Sequence, residues 1–579
     1  MPRFDSGSVF GRLLDWRRGG ACTVEAVDGE ATGRSYVDGT LVLETQFRAG
    51  GSAAVLRDCF TLRRGGDLDP HRQLVRVIEG TRSELQMRLR IAPRFDYGGV
   101  RPWIRRQGVR VFSAIGGDDA LVIAFDGDLE VEEHDLTSTF TVRAGERIRL
   151  SIEYAKPEEL DRESPEPPDA DEIDHRLDHT LRIWRRWSGS AKVGGSEAGG
   201  VVRSALVLKG LMHAPTGAVA AAPTTSLPEA LGAGRNWDYR YCWIRDSTFS
   251  VRSLASIGFE READRFREFI QRSTAGHVED LQIVYGIGGG RRIDQQEIEE
   301  LEGYRGVGPV HTGNGARRQK QLDALGELVS LAWRWHERGN SPDDDLWKFI
   351  VSLCDAAAKR WREPDSGLWE WPSRPMHFTQ SKVTCWAALD RGLALAEECM
   401  REAPKRRWQR ARGQIRRAVE TDGYEKRRGV FRQVLRRNGV DGSLLLLPRS
   451  GFVDYDDERM VRTTDAVASD LNDRGLIRRY AIKDGLPGRE GAFLACSFWL
   501  VECLARQGRV DDARKRYDRA VAAASDLGLY AEEYDTSRGE PCGNYPQALT
   551  HLAHIEAALA LAEAARDTAG DQSPGLSGG

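Results

Sequence analysis

The chain of 579 residues has 30% charged and 40% hydrophobic side chains, a balance that supports large cores and excludes a fibrous, collagen-like or mostly disordered protein. Its 84 Lys and Arg against 88 Asp and Glu give a formal net charge of -4, which argues against a nucleic acid partner. No stretch approaches the roughly 20 apolar residues of a membrane helix, and the start, MPRFDSGSVFGRLLDW, has no apolar signal core, so the chain is read as cytoplasmic. The nine cysteines include no C-x-x-C pair and read as free thiols, with no disulfide framework or zinc knuckle.

In chain order, β-branched runs come first. Residues 40–47, 73–78 and 121–125 recur between Gly, Asp and Arg turns without intervening helical periodicity, which predicts an antiparallel β-sandwich over 1–155. Residues 156–174 are acidic and proline-punctuated, and predict an exposed linker. From Leu177, Leu181 and Trp184 onward the apolar period is 3.6, which predicts a nearly all-helical domain over 175–566. Its clearest helices are 321–335, 346–361, 382–399, 492–506 and 546–565, and the small polar residues 567–579 predict a disordered tail. Loops rich in Gly, Trp and acids (235–246, 303–316, 366–378, 484–490, 528–543) tend to alternate with plain turns such as 338–340 and 507–509. In an up-and-down helical array, alternate connections share one end, so the rich loops converge on one face, the place to seek chemistry.

The densest loop is Arg235-Asn236-Trp237-Asp238-Tyr239-Arg240-Tyr241-Cys242-Trp243-Ile244-Arg245-Asp246. Flat aromatic faces, arginine forks and carboxylates suit a polyhydroxylated ligand, while the same residues also fit a helix cap at Asp246 with core tryptophans. A second loop places Glu370 between Trp369 and Trp371, where apolar rings disfavour the charged carboxylate, as a general acid requires. A third offers the neighbouring carboxyls Glu532 and Glu533, either of which could be a base. Each glutamate alone is equally a surface acid paired with arginine. Together on one face they form the minimum apparatus for glycoside hydrolysis. The glycines after Tyr285 break the dinucleotide spacing at Arg291, His551 and His554 lack a third ligand, and Asp343–Asp345 sit at a helix start where acids favour the dipole. No metal and no cofactor are expected.

Ordered motifs run nearly the length of the chain: 214–217 with 222–229 (APTTSLPE), 236–246 (NWDYRYCWIRD), 284–289 (VYGIGG), Gly313-Asn314 through Gln321-Leu322-Asp323, Gly367-Leu368-Trp369-Glu370, Glu490-Gly491-Ala492-Phe493, and 532–535 with 543–548. In these the chain resembles glycoside hydrolase family 15, the family of glucoamylases, glucodextranases and certain bacterial trehalases. The resemblance implies an N-terminal β-sandwich followed by an (α/α)6 barrel, and inversion at α-glucosides. It makes Glu370 the general acid and Glu532 the general base, with Glu533 as the neighbouring alternative. Arg245 and Asp246 would bind the hydroxyls of the terminal nonreducing glucose, Trp237, Trp243 and Trp369 would shape its pocket, and Asp238 and Glu533 complete the expected binding set.

Inversion requires the two carboxyls roughly 6.5–9.5 Å apart, with Glu532 kept ionised, helped by nearby arginines. The leading expectation is an exo-acting hydrolase releasing β-glucose from malto- or isomaltooligosaccharides, with α,α-trehalose as the alternative substrate. The rival from another class is a noncatalytic sugar-binding protein. Trp371 and Pro372, directly after the acid, are expected to narrow the leaving-group side. The family's bacterial members generally carry a further stretch ahead of the segment matched by Pro2–Ser6, so a first strand is expected to be missing: either the chain start is misassigned or truncated, or the protein manages without that strand and the sandwich has an open edge. Asp323, Glu327 and Glu490, at or near helix starts, are left without a role.

Overall fold

The computed structural model describes residues 1–571 except 67–68, 163–164, 167 and 275–276. The N-terminal strands are β1 (Ala21–Ala26), β2 (Glu30–Tyr36), β3 (Leu43–Ala49), β4 (Ser52–Phe60), β5 (Gln73–Arg82), β6 (Leu85–Ala92), β7 (Trp103–Arg106), β8 (Val111–Gly116), β9 (Asp119–Phe125), β10 (Glu130–Glu132), β11 (Asp135–Val142) and β12 (Arg147–Ala155). They form two antiparallel sheets, ordered β2-β3-β4-β5-β12-β9-β8-β7 and β1-β6-β11-β10. Period-2 alternation sets the faces: in β6, Leu85, Met87, Leu89 and Ile91 point inward while Gln86, Arg88 and Arg90 are exposed. These residues meet Ile78, Leu121, Ile123 and Ile152 of the larger sheet in one core. Residues 1–20 contain no strand, and β1 is an edge of the smaller sheet.

Two helices occupy the stretch around the expected linker. They are α1 (Pro157–Arg162) and α2 (Ala170–Ser188), so helix begins inside 156–174. Asp169 caps α2 by accepting from Glu172 N–H at 2.8 Å, and Ile173 and Leu177 seat it on Val42, Cys59, Val75 and Val77 of the large sheet's outer face.

The helical domain comprises α3 (Ala198–Leu211), α4 (Ile244–Ser256), α5 (Glu260–Ser273), α6 (Asp323–Glu337), α7 (Asp344–Arg360), α8 (Thr379–Glu398), α9 (Lys405–Asp422), α10 (Glu458–Asp470), α11 (Leu494–Arg506), α12 (Val510–Val521) and α13 (Ala548–Asp571). It is an (α/α)6 barrel in which α4, α6, α8, α11 and α13 form the inner ring. The remaining inner position is taken by the 3-10 turns Gly442–Leu446 and Pro448–Ser450. Burial separates the rings: every residue of α11 from Leu494 to Ala505 is buried, whereas α9 buries only the stripe Trp408, Ala411, Ile415 and Val419. Helix α13 continues to Asp571, past the position where fraying was expected, and the rest of that expected tail, 572–579, lies outside the described residues.

Connections from outer to inner helices (212–243, 274–322, 361–378, 423–441, 471–493, 522–547) are long, and those from inner to outer (257–259, 338–343, 399–404, 451–457, 507–509) are short. The long loops therefore gather at the N-terminal ends of the inner helices. The N-terminal domain reaches this face: Arg240 donates to Phe4 O at 3.2 Å, Ser6 O at 3.0 Å and Tyr97 Oη at 2.6 Å, and Ile287 N–H donates to Asp5 at 3.1 Å.

Candidate active site

The two-residue strand Cys242–Trp243 pairs with Val284–Tyr285 and delivers the chain into α4, so Arg245 and Asp246 fall in its first turn. Arg245 is a buried fork. Its Nε and Nη2 reach Asp246 Oδ2 at 2.9 and 2.8 Å, while Nη1 donates to Leu368 O at 2.5 Å and Glu370 Oε1 at 3.1 Å. Asp246 is fully buried, and its Oδ1 has no partner among the described residues. A buried free acceptor suits a ligand hydroxyl.

Glu370 sits in a strained turn. Its φ is 55° and that of Gly367 is 62°, and a Cβ on Gly367 would lie 2.6 Å from the Phe378 ring. The left-handed conformation of Glu370 costs roughly 1–2 kcal/mol and is held by its neighbours. Gln319 donates to Glu370 O at 3.1 Å, Trp371 N–H to Ser366 O at 2.9 Å, and Trp369 Nε1 to Asp441 at 2.7 Å. Burial raises the Glu370 pKa, against the pull of Arg245. Trp371 is buried against Tyr480 and Phe378 and lines a pocket of about 650 Å³ with Pro364, residues 373–377, 433–435, 437–438 and 482–483.

Glu532 precedes a short strand, Glu533–Asp535, paired between Ala492–Phe493 and Glu540–Cys542. The two glutamates have different partners. Glu533 accepts from Gly491 N–H at 2.9 Å and pairs with Arg479 at 3.3 Å. Glu532 lies against Gly543, where a Cβ would come within 2.9 Å of its carboxylate, and accepts a long bond from Asn544 N–H at 3.4 Å. Behind the loop, His551 accepts from Tyr530 N–H at 3.1 Å, and Ser204 bonds both His551 and His554 at 2.9 Å. These histidines thus tie α13 to α3 and to the loop, and burial holds His551 well below its usual range and His554 down to about 4.

A buried ion network joins the carboxyls. Arg479 reaches Glu229 at 3.0 Å, Glu490 at 2.7 Å and Glu533 at 3.3 Å, and oxygens of these three glutamates lie within 4.8 Å of one another. Arg235 pairs with Asp484 at 2.8 Å and with Glu490. Burial and the like charge of Glu229 push Glu532 well above the usual carboxyl range, and Arg479 opposes this. Arg479 is thus the nearby arginine that favours ionised Glu532, but it does so without pairing: it bonds to Glu229, Glu490 and Glu533, and Glu532 has no ion pair among the described residues. Burial likewise raises Glu229 to about 7.

The structure brings together Arg245, Asp246, Trp369, Glu370, Glu532 and Glu533, with Trp237 alongside through Asn544, whose Nδ2 donates to Trp237 O at 2.9 Å. Two other expected ligand-binding residues are enclosed by the protein. Both oxygens of Asp238 are occupied by Arg240 and Gly313 N–H, at 2.7 to 3.2 Å, which makes it a loop anchor. The Trp243 ring is wholly buried in the barrel core against Tyr239, because the residue leads directly into α4. Glu229, Arg235, Arg479 and Asp484 went unassigned from sequence; Glu229 was legible as the end of S-L-P-E, whereas Arg479 stands in no motif. Glu490 belongs to the network, and Asp323, beside Asp365, is buried at the start of α6 with its pKa raised to about 7.

An (α/α)6 barrel with buried carboxyls, tryptophans and an arginine fork at its loop face defines a glycosidase. Residues 195–559 match glycosyl hydrolases family 15, and residues 1–144 match the trehalase-like N-terminal domain. A protein named trehalase from Mycolicibacterium smegmatis is 34% identical over 98% of this chain and 89% of its own length. Another named trehalase, from Thermoplasma acidophilum, is 32% identical over 97% of this chain and 96% of its own. The crystal structure of a bacterial glucoamylase complexed with acarbose shares the fold, with a TM-score of 0.72 at 12% identity, covering 97% of this chain and 94% of that one. The chain belongs to glycosyl hydrolases family 15 and is a glycoside hydrolase.

Proposed function

We propose that the protein is an α,α-trehalase acting by single displacement. The observation that carries the substrate is the near full-length similarity to proteins named trehalase, with a trehalase-like N-terminal domain; the glucoamylase likeness extends to fold alone. The alternative of the sequence reading thus displaces its leading one, action on malto- or isomaltooligosaccharides.

In this reading Glu370, protonated because burial raises its pKa, gives its proton to the glycosidic oxygen. Arg245 holds the acid's other face and, with the free Oδ1 of Asp246, binds hydroxyls of the glucose being cleaved. Glu532 draws the proton from a water attacking the anomeric carbon from the opposite side. Glu532 is favoured over Glu533 because Glu533 is committed to Gly491 and Arg479. Proton release from Glu532 competes with its neighbours, and a proton resting on Glu229 eases it by removing the like charge.

Proton NMR of fresh hydrolysate tests the reading. Inversion of α,α-trehalose gives one β-glucose and one α-glucose per turnover; α-glucose alone would overturn single displacement, and faster release from maltose or isomaltose would overturn the substrate. Glu370→Gln should lower kcat by about 10²–10⁴ with trehalose affinity retained by calorimetry. Near-normal turnover would remove Glu370 as the acid, and absence of hydrolysis in the native chain would favour a noncatalytic sugar-binding protein.

A further inference from the structure

The inner helices carry a second concentration of charge beyond the carboxyl cluster. Arg252 on α4, Glu327 and Arg334 on α6, Arg391 on α8 and Arg449 on the 3-10 turn line a cavity of about 40 Å³. Arg252 lies seven residues beyond Arg245 on the same helix, about 10 Å further along the barrel. A wider pocket of about 320 Å³ shares Arg334, Arg391 and Arg449 as its wall and adds the carboxyls of Glu337 and Asp390 at its outer side.

The charges in this cavity do not balance. Arg449 pairs with Glu502, whose Oε2 accepts from its Nε at 2.9 Å, and Arg252 lies 3.7 Å from Glu556. Arg391 donates to the Ser330 hydroxyl and to Arg449 O at 3.0 Å, and has no carboxylate partner among the described residues. Arg334 has neither a hydrogen bond nor an ion pair among the described residues, and burial with the like charges of Arg252 and Arg391 pulls its pKa down to about 10. The one further carboxylate, Glu327, forms no ion pair with any of the four guanidinia among the described residues, although all of them act on it. The smaller cavity is thus lined by two guanidinia without a carboxylate partner and by one carboxylate, Glu327, with apolar walls at Phe249, Leu331, Val383 and Leu447, while Glu337 and Asp390, the latter paired with Arg412, act on these arginines from the wider pocket. Like charges gathered out of water are costly unless a counter-ion joins them.

We infer that the floor of the barrel binds a small oxyanion of sulfate or phosphate size, held by Arg334 and Arg391 with Arg252 and Arg449 behind them. The cavity exceeds the roughly 10–15 Å³ that a single water needs, and planar guanidinium forks match tetrahedral oxyanions. The inference does not rest on the substrate assignment.

Thermal unfolding of the full chain tests it, with sodium sulfate or sodium phosphate up to about 20 mM and sodium chloride holding the ionic strength. The native chain should show a saturable rise in Tm with the oxyanions. Arg334→Met, which removes the unpartnered charge but keeps an apolar stem, should be at least as stable as the native chain in chloride and should lose the oxyanion-dependent rise. Glu327→Gln should tighten binding, by about threefold or more, because a competing negative charge is gone. Equal rises in the native chain and Arg334→Met, no rise in the native chain, or an Arg334→Met protein several degrees less stable in chloride would each overturn the inference.

Discussion

Glu229 shows how single residues set the chemistry of this site. It is 2% exposed, one oxygen accepts from Arg479 and the other has no partner among the described residues, and its pKa rises to about 7. The folded state therefore holds this proton more tightly than the unfolded chain, so folding takes up a proton and stability falls as pH rises from the ordinary glutamate range towards 7. Glu229→Gln keeps an acceptor for Arg479 but loses the charge. It should match the native chain near pH 4, gain on the order of 2 kcal/mol near pH 8 in urea unfolding, and move the acidic limb of kcat/KM to lower pH, because Glu532 loses a repelling neighbour. A stability difference independent of pH, or an acidic limb that moves upward, would refute this account. Glu370 and Glu532 were legible because they stand in motifs, whereas Arg479 was not: its meaning lies in partners 11 to 250 positions away.

Among the elements, five helices were readable from apolar periodicity: each begins within three residues of its predicted bound and four end within two, while α13 runs on from the expected 565 to Asp571. The fourth inner position was not, because 3-10 turns carry no 3.6 period. Close approach of α6 and α8 depends on Gly326, where a Cβ would lie 2.1 Å from Thr384 O. Gly326→Ala must therefore push the helices apart, and should cost about 3 kcal/mol by urea unfolding and lower kcat, since α8 follows the Glu370 loop. Unchanged stability would show that the pair can separate freely. His551 and His554 act as their sequence context allowed, as buried hydrogen-bonding residues, here supporting the loop that carries Glu532.

Across the whole molecule, the sandwich and the barrel loop meet at Arg240. The guanidinium satisfies Asp238 while donating to Phe4 O, Ser6 O and Tyr97 Oη, so one side chain links the N-terminal segment to the loop that leads into Arg245 and Asp246. Arg240→Ala strands a buried carboxylate and should cost about 3–5 kcal/mol, with loss of kcat; Arg240→Lys should recover little, because an ammonium lacks the planar fork. Thermal unfolding and steady-state kinetics of both variants check this, and a fully active Arg240→Ala would sever the link.

Local pattern by itself determined the β-then-α order, the helical periodicity, the loop-rich face and the motifs that carry Glu370 and Glu532, since each is written in neighbouring residues. Tertiary structure alone decided that Asp238 is bound by Arg240 and Gly313, that the Trp243 ring is buried in the barrel core, that Glu533 is bound by Arg479, and that four arginines from different elements surround one cavity. Those outcomes depend on which distant charges share a low-dielectric interior, and burial and pairing across hundreds of residues leave no local pattern to read.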